Sequence, residues 1–164
     1  MQPTLCQANL ANPTHAQAVL SLLNHYAQDT MGGGEPLSSF VQANLVAELH
    51  KRPHVLAVLA FVGDEPAGLA ICVEGFSSFA CKPLLNVHDM VVHQAFRGRK
   101  LSHAILAKVQ ELAQQRGCCK ITLEVLQGNT LAKQAYRAFG FEPYQLSPQM
   151  GHAEFWQKAL PTAQ

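Results

Sequence analysis

The chain has 164 residues, 48% of them hydrophobic and 14% charged, with a formal net charge of +1. That length suits one domain, spanning 1–164, around a single sizeable core. Scattered, near-neutral charge argues against both a nucleic-acid footprint and a polybasic membrane patch, so neither partner is expected.

Met1-Gln2-Pro3-Thr4-Leu5-Cys6 lacks the basic region and apolar run of a secretory signal. With no apolar stretch long enough to span a bilayer, a cytoplasmic location is expected. Asn12-Pro13 starts a helix, on which Ala16, Val19, Leu20, Leu22 and Leu23 give an apolar face that runs toward His25 and Tyr26. The helix is expected to end near Asp29. The run Met31-Gly32-Gly33-Gly34-Glu35-Pro36 then reads as a flexible connector, because three successive residues lack the restraint of a Cβ.

A second helix fits Leu37 to His50, with Phe40, Val41, Leu45 and Leu49 on its apolar side, and Lys51-Arg52-Pro53 stops it. His54 to Val62 and Ala67 to Glu74 read as two strands of a hairpin turned by Gly63-Asp64-Glu65-Pro66. Ser77 to Pro83 reads as a loop, and Leu84 to His93 as the next strand.

That strand runs through Phe96-Arg97-Gly98-Arg99-Lys100 into a helix whose buried stripe is Leu101, Ile105, Val109 and Leu112. A helix N-terminus leaves backbone N–H groups unpaired and carries partial positive charge, so a basic turn in front of it suits a diphosphate. The plainer alternative is a solvated surface turn. Gly117 ends the helix, with Arg116 placed for the negative end of its dipole. Ile121 to Val125 reads as a strand, and Asn129 as the N-cap of a helix that carries Tyr136 and closes at Gly140. Phe141 to Leu146 and His152 to Leu160 complete the set as two final strands, turned at 147–151.

Five cysteines, at Cys6, Cys72, Cys81, Cys118 and Cys119, form no C-x-x-C pair, and their odd number cannot make a closed disulfide framework. They read as small, partly buried hydrophobes. The eight histidines show no H-E-x-x-H or comparable ligand spacing, so no metal is expected.

Asn129, Ala132, Tyr136, Gly140 and Phe141 match the pattern Asn-x-x-Ala-x-x-x-Tyr-x-x-x-Gly-Phe. Arg97 opens the earlier loop in the place of Arg/Gln-x-x-Gly-x-Gly/Ala, with Lys100 and Ser102 standing at the two small-residue positions. In this order and separation the two motifs resemble the GNAT superfamily of N-acetyltransferases over nearly the whole chain.

The resemblance implies a single-domain α/β fold: a mixed, mostly antiparallel sheet flanked by helices, with a splayed strand pair that binds acyl-CoA. It implies acetyl-CoA as donor and direct transfer of the acetyl group to a primary amine of a small molecule or peptide. Met90, Val91 and Val92 would meet the pantetheine arm through main-chain atoms. Arg97, Gly98, Arg99, Lys100, Leu101 and Ser102 would hold the pyrophosphate, and Asn129 would organise the later helix beside it. Lys100 limits close backbone approach where glycine would permit it, and its ammonium can offset that loss.

Tyr136 is the candidate general acid toward the departing thiolate, since phenol and thiol have comparable pKa values. The structural alternative is a ring that fills the core. His88 stands where several amine-acetylating relatives carry glutamate and is the candidate base, with Asp89 and Glu124 as alternatives; a structural hydrogen-bonding role is the competing reading. Strand alternation sends Asp89 to the sheet face opposite His88. The first helix–loop–helix region would form part of the acceptor wall, which makes Asp29, Met31 and Glu35 candidate substrate contacts. The resemblance also allows a homodimer. A non-catalytic acyl-CoA-binding or sensor protein on the same fold is the alternative function, motivated by Lys100 and Ser102.

Overall fold

The computed structural model describes residues 2–161. In chain order they form β1 (Thr4–Gln7), α1 (Pro13–Gln28), α2 (Ser39–His50), β2 (Val55–Val62), β3 (Glu65–Ser77), β4 (Lys82–Val92), α3 (Leu101–Gln115), β5 (Ile121–Leu123) and α4 (Thr130–Phe139). One sheet runs in the order β1-β2-β3-β4-β5. Its first three pairings are antiparallel and the last, β4 with β5, is parallel.

Sheet alternation divides the core in two. Leu56, Val58 and Ala60 of β2 pack with Leu85 and Val87 against Ile105, Leu106 and Val109 of α3. Ala57 and Leu59 face the other way, onto Ala18, Val19 and Leu22 of α1. A strand covered on both faces has no polar alternation to show, which is why β2 reads as a continuous apolar run.

Two bulges reset this alternation. The β2–β3 register shifts between Ala60 and Phe61, and the β3–β4 register shifts where Ile71 pairs with Asp89 but Cys72 pairs with Val87, leaving His88 as the extra residue. Leu85 and Val87 face α3, as do Met90 and Val92 beyond the bulge, while Val91 faces α1. A bulge inserts one residue into one strand and bends it. Here the bend falls where β4 parts from β5, whose ladder ends at the Val87–Leu123 pair.

The helix ends follow the sequence. Asn12 Oδ1 accepts the Thr14 amide at 2.8 Å, Asn129 Oδ1 accepts the Ala132 amide at 3.2 Å, and Gly140 closes α4 at φ 108°. Arg116 caps α3 and pairs with Glu74 at 2.8 Å.

Several expectations fail. Neither Phe141 to Leu146 nor His152 to Leu160 forms a strand; a single bridge joins Gln145 to His152. Pro143 cannot donate to a ladder, and β5 offers an edge of only three residues. The apolar side of α2 buries no residue completely, with Phe40 74% exposed and Leu49 packed at the margin of the α1 core. Strand β3 continues through Ser77, shortening the expected loop, and β1 pairs Thr4–Gln7 with Phe61–Val58 where no strand was foreseen. Cys81 and Cys119 are exposed, not partly buried, whereas Cys72 is buried and its thiol is pushed up to about 12 by desolvation.

The glycine run is folded, not a loose connector. The Asp29 carbonyl accepts the amides of Gly32 at 2.8 Å and Gly34 at 3.0 Å, and the Glu35 amide donates to Ala27 at 3.1 Å. The run therefore caps the end of α1.

Candidate active site

A groove of about 500 Å³ opens where β4 parts from β5. One wall is Met90, Val91 and Val92; the N-terminal end of α3 and the loop before it, including Arg97, Gly98, Lys100, Leu101 and Ser102, make the second. The start of α4, from Gly128 through Asn129 to Tyr136, makes the third, and Tyr26, Asp29, Thr30 and Met31 close the groove from α1. The topology thus gathers two motifs separated by some thirty residues of sequence, together with the folded glycine run.

The second wall leaves backbone donors open to an anion. Helices α1, α2 and α4 are capped by Asn12, Ser38 and Asn129, but the N-cap of α3 is Lys100, whose side chain makes no capping bond. The first-turn amides of α3 are left to a ligand or water. Among the described residues neither Arg99 nor Lys100 is in an ion pair; Arg99 lies over the Phe96 ring at 5.5 Å.

Gly98 and Lys100 both have left-handed backbones, at φ 79° and 57°. Glycine adopts this conformation freely, whereas a residue with a Cβ is strained there, and the Lys100 ammonium also sits at the positive end of the α3 dipole. Lys100→Gly is therefore expected to raise the stability of the ligand-free protein by about 1 kcal/mol after the entropic cost of glycine is subtracted. A thermal melt without ligand checks this; an unchanged or lower melting temperature would show that the lysine conformation is unstrained.

Tyr136 lies on the third wall, its ring edge-on to Phe141 at 5.9 Å. Burial, and then the nearby Tyr26 phenol, push its hydroxyl above the usual range. The group stays protonated at neutral pH and is available as a donor. Across the groove the Tyr26 hydroxyl donates to the Met31 carbonyl at 3.4 Å. Its pKa is raised by burial and by the carboxylates of Asp89 and Asp29.

The expected site residues are only partly gathered. Met90, Val91, Val92, Arg97, Gly98, Lys100, Leu101, Ser102, Asn129, Tyr136, Asp29 and Met31 line the groove, while His88, Arg99 and Glu35 do not. His88 is exposed at the bulge, beside Asp89. The same bulge gives Asp89 the parity of Val91, toward α1, where burial pushes its carboxyl up against the opposing influence of His88. Tyr26 and Thr30, with Phe96, Gly128, Thr130, Leu131, Ala132 and Ala135, also line the groove and were not expected as site residues. Helical spacing had assigned Tyr26 to the apolar face of α1; it packs there against the core, and at the last turn of the helix it also reaches the groove.

The rings of His25 and His93 lie tilted by 32° with centroids 4.3 Å apart, and among the described residues His25 Nε2 has no hydrogen-bond partner although it is buried. Burial lowers the His25 pKa, with His93 and Arg97 adding to the shift and Asp29 opposing it. No group of three or more potential metal-ligating side chains occurs among the described residues, and no helix there is long and apolar enough to cross a membrane.

The chain is 28% identical over 127 residues to the thialysine N-epsilon-acetyltransferase of Caenorhabditis elegans, covering 76% of this chain and 75% of the relative. The structure of AAC(6')-Iy in complex with a CoA-containing bisubstrate analogue superposes with a TM-score of 0.73 at 19% identity, over 98% of this chain and all of the other. A ribosomal-protein-alanine N-acetyltransferase from Brucella melitensis superposes with a TM-score of 0.67 at 17% identity, covering 98% and 99% of the two chains. The profile of the acetyltransferase (GNAT) family matches residues 19–141, three quarters of the chain and every wall of the groove. The chain is an N-acetyltransferase that belongs to the acetyltransferase (GNAT) family.

Proposed function

We propose that the chain transfers the acetyl group of acetyl-CoA directly to a primary amine of a small molecule or peptide, with the thioester held between β4 and α4. The observation that carries this reading is the convergence of the uncapped α3 N-terminus, the diverging end of β4 and Tyr136 on one groove. The pyrophosphate binds the first-turn amides of α3, assisted by Arg97, Arg99 and Lys100. The pantetheine arm runs along the main chain of Met90, Val91 and Val92. Asn129 fixes the start of α4 through its bond to Ala132 and thereby sets the position of Tyr136.

In the reaction the amine nitrogen forms a bond to the acetyl carbonyl carbon, and the carbon–sulfur bond breaks. The departing thiolate takes the Tyr136 hydroxyl proton, and the excess proton of the amine leaves to a base. His88 is that base, acting through water from its exposed position at the bulge. The acceptor enters past Asp29 and Met31, with Glu35 at the outer margin. The relative from Caenorhabditis elegans is by name an Nε-acetyltransferase, which supports an amine on a short flexible side chain as acceptor.

Exposed Tyr144, Leu146, Phe155, Trp156 and Leu160 on the segment after α4 support a homodimer.

A panel of primary amines, including free lysine-like amino acids, polyamines and peptides, assayed for CoA release tests the reading. At least one amine is expected to raise CoA release well above thioester hydrolysis, with an acidic limb in the pH–rate profile that His88→Ala flattens. Hydrolysis alone across the panel would remove the assigned transfer, and an unchanged limb would return His88 to a structural role.

A further inference from the structure

Asp29 makes more connections than an acceptor contact needs. It is the C-cap of α1, and its Oδ1 accepts the Met31 amide at 3.0 Å while its carbonyl accepts the Gly32 and Gly34 amides. Its Oδ2 accepts from Arg97 Nη2 at 2.9 Å, 68 residues away in sequence. Arg97 in turn donates through Nε to the Val92 carbonyl at 3.2 Å, at the end of the β4 wall. One carboxylate therefore joins the folded glycine run, on the acceptor side, to the arginine of the pyrophosphate loop, on the donor side.

The geometry points to Asp29 as a positioning residue that couples the two sides, an inference that rests on the donor assignment above. A guanidinium has five N–H donors in a planar fork. The bonds to Val92 and Asp29 leave donors of Arg97 free, and the side chain is 53% exposed, so a phosphate oxygen can bind it while the Asp29 bond persists. Asp29 thus holds Arg97 in one orientation before the donor arrives, which spares part of the ordering cost of binding.

The converse follows from linkage: a donor that fixes Arg97 also fixes Asp29, and with it the amides of Met31, Gly32 and Gly34. The Met31 amide and the Arg97 guanidinium hold the Asp29 carboxyl below the usual carboxylate range, so the charged form that makes this connection persists at neutral pH.

Hydrogen exchange of the segment 30–35, measured with and without CoA, tests this without any acceptor. Calorimetric titration of CoA into wild type, Asp29→Asn and Asp29→Ala accompanies it, with melting curves to confirm folding. In the wild type, saturating CoA is expected to slow exchange of the Met31, Gly32 and Gly34 amides by roughly fivefold or more. In Asp29→Ala the CoA-induced slowing should vanish and CoA should bind severalfold more weakly. Asp29→Asn, whose single carbonyl oxygen can accept from Met31 or from Arg97 but leaves an NH2 in the place of the second carboxylate oxygen, should fall between the two.

Tighter CoA binding in Asp29→Ala would overturn the inference, because the carboxylate would then be a competitor for Arg97. Equal CoA-induced slowing in all three proteins would overturn it as well, with donor binding intact. No CoA binding to the wild type would instead remove the donor assignment, and the coupling with it.

Discussion

Tyr136→Phe is expected to lower kcat by roughly 10²-fold or more while leaving acetyl-CoA binding nearly unchanged, the usual loss when a general acid is removed. Phenylalanine keeps the ring, its edge-on packing against Phe141 and its place between Asn129 and Gly140. Only the proton donor is lost. The high pKa that burial imposes on this phenol keeps it protonated across the neutral range. The defect should therefore persist across the neutral range and shrink only as pH reaches the thiol range, where a departing thiolate needs less assistance. Steady-state kinetics with a genuine acceptor checks this, since thioester hydrolysis alone could hide the loss. Full kcat in the variant would leave Tyr136 as a packing residue.

Gly32→Ala is expected to be the most damaging small substitution in the glycine run. A Cβ at Gly32 would lie 1.9 Å from the Tyr26 carbonyl oxygen and 2.7 Å from its carbon. Both are backbone atoms in the last turns of α1 and cannot swing aside as a side chain can. The glycine run must lift away, breaking the Gly32 bond to the Asp29 carbonyl and drawing Met31 from the Tyr26 hydroxyl. Overpacking of this kind costs about 1–3 kcal/mol, and the acceptor KM should rise by about tenfold or more if the run forms part of that wall. Gly34→Ala is the control, because no atom lies within 4 Å of its added Cβ and only the strain of φ 81° is incurred. Melting curves and KM values for the pair separate steric displacement from backbone strain; equal, small effects would contradict the close packing at Gly32.

The parts of this fold that follow local rules were legible in the sequence. The Leu101, Ile105, Val109 and Leu112 stripe is buried as its helical period requires, and Asn12, Asn129 and Gly140 cap the helices that their chemistry suits. Both halves of the groove were marked by motifs on single helix starts, which is why most of its walls could be named in advance.

What escaped depends on contacts distant in sequence. The segment after α4 carries the apolar and aromatic residues of a strand, among them Tyr144, Leu146, Phe155 and Trp156, but a strand needs a partner, and a three-residue β5 supplies almost none. The bulge at His88 leaves no mark in the local pattern, since Val87, His88, Asp89 and Met90 read as an unbroken strand. It moves Asp89 to the α1 side and leaves His88 exposed, a placement that alternation from either end alone does not give. Three successive glycines suggested freedom. The observed run is held because glycine allows Gly32 to touch the Tyr26 carbonyl and Gly33 and Gly34 to adopt φ 121° and 81°.

The central claim is that the groove between β4, α3 and α4 binds acetyl-CoA, and a melting curve at saturating donor tests it most directly. A ligand at about 100 times its Kd that binds only the folded state contributes about 2.7 kcal/mol, which for a domain of this size corresponds to a rise of about 5–10 °C. Acetyl-CoA and CoA are predicted to produce that rise, adenine nucleotides without the pantetheine arm to produce much less, and Arg97→Ala to reduce it. A melting temperature that neither acetyl-CoA nor CoA moves at millimolar concentration would contradict the account.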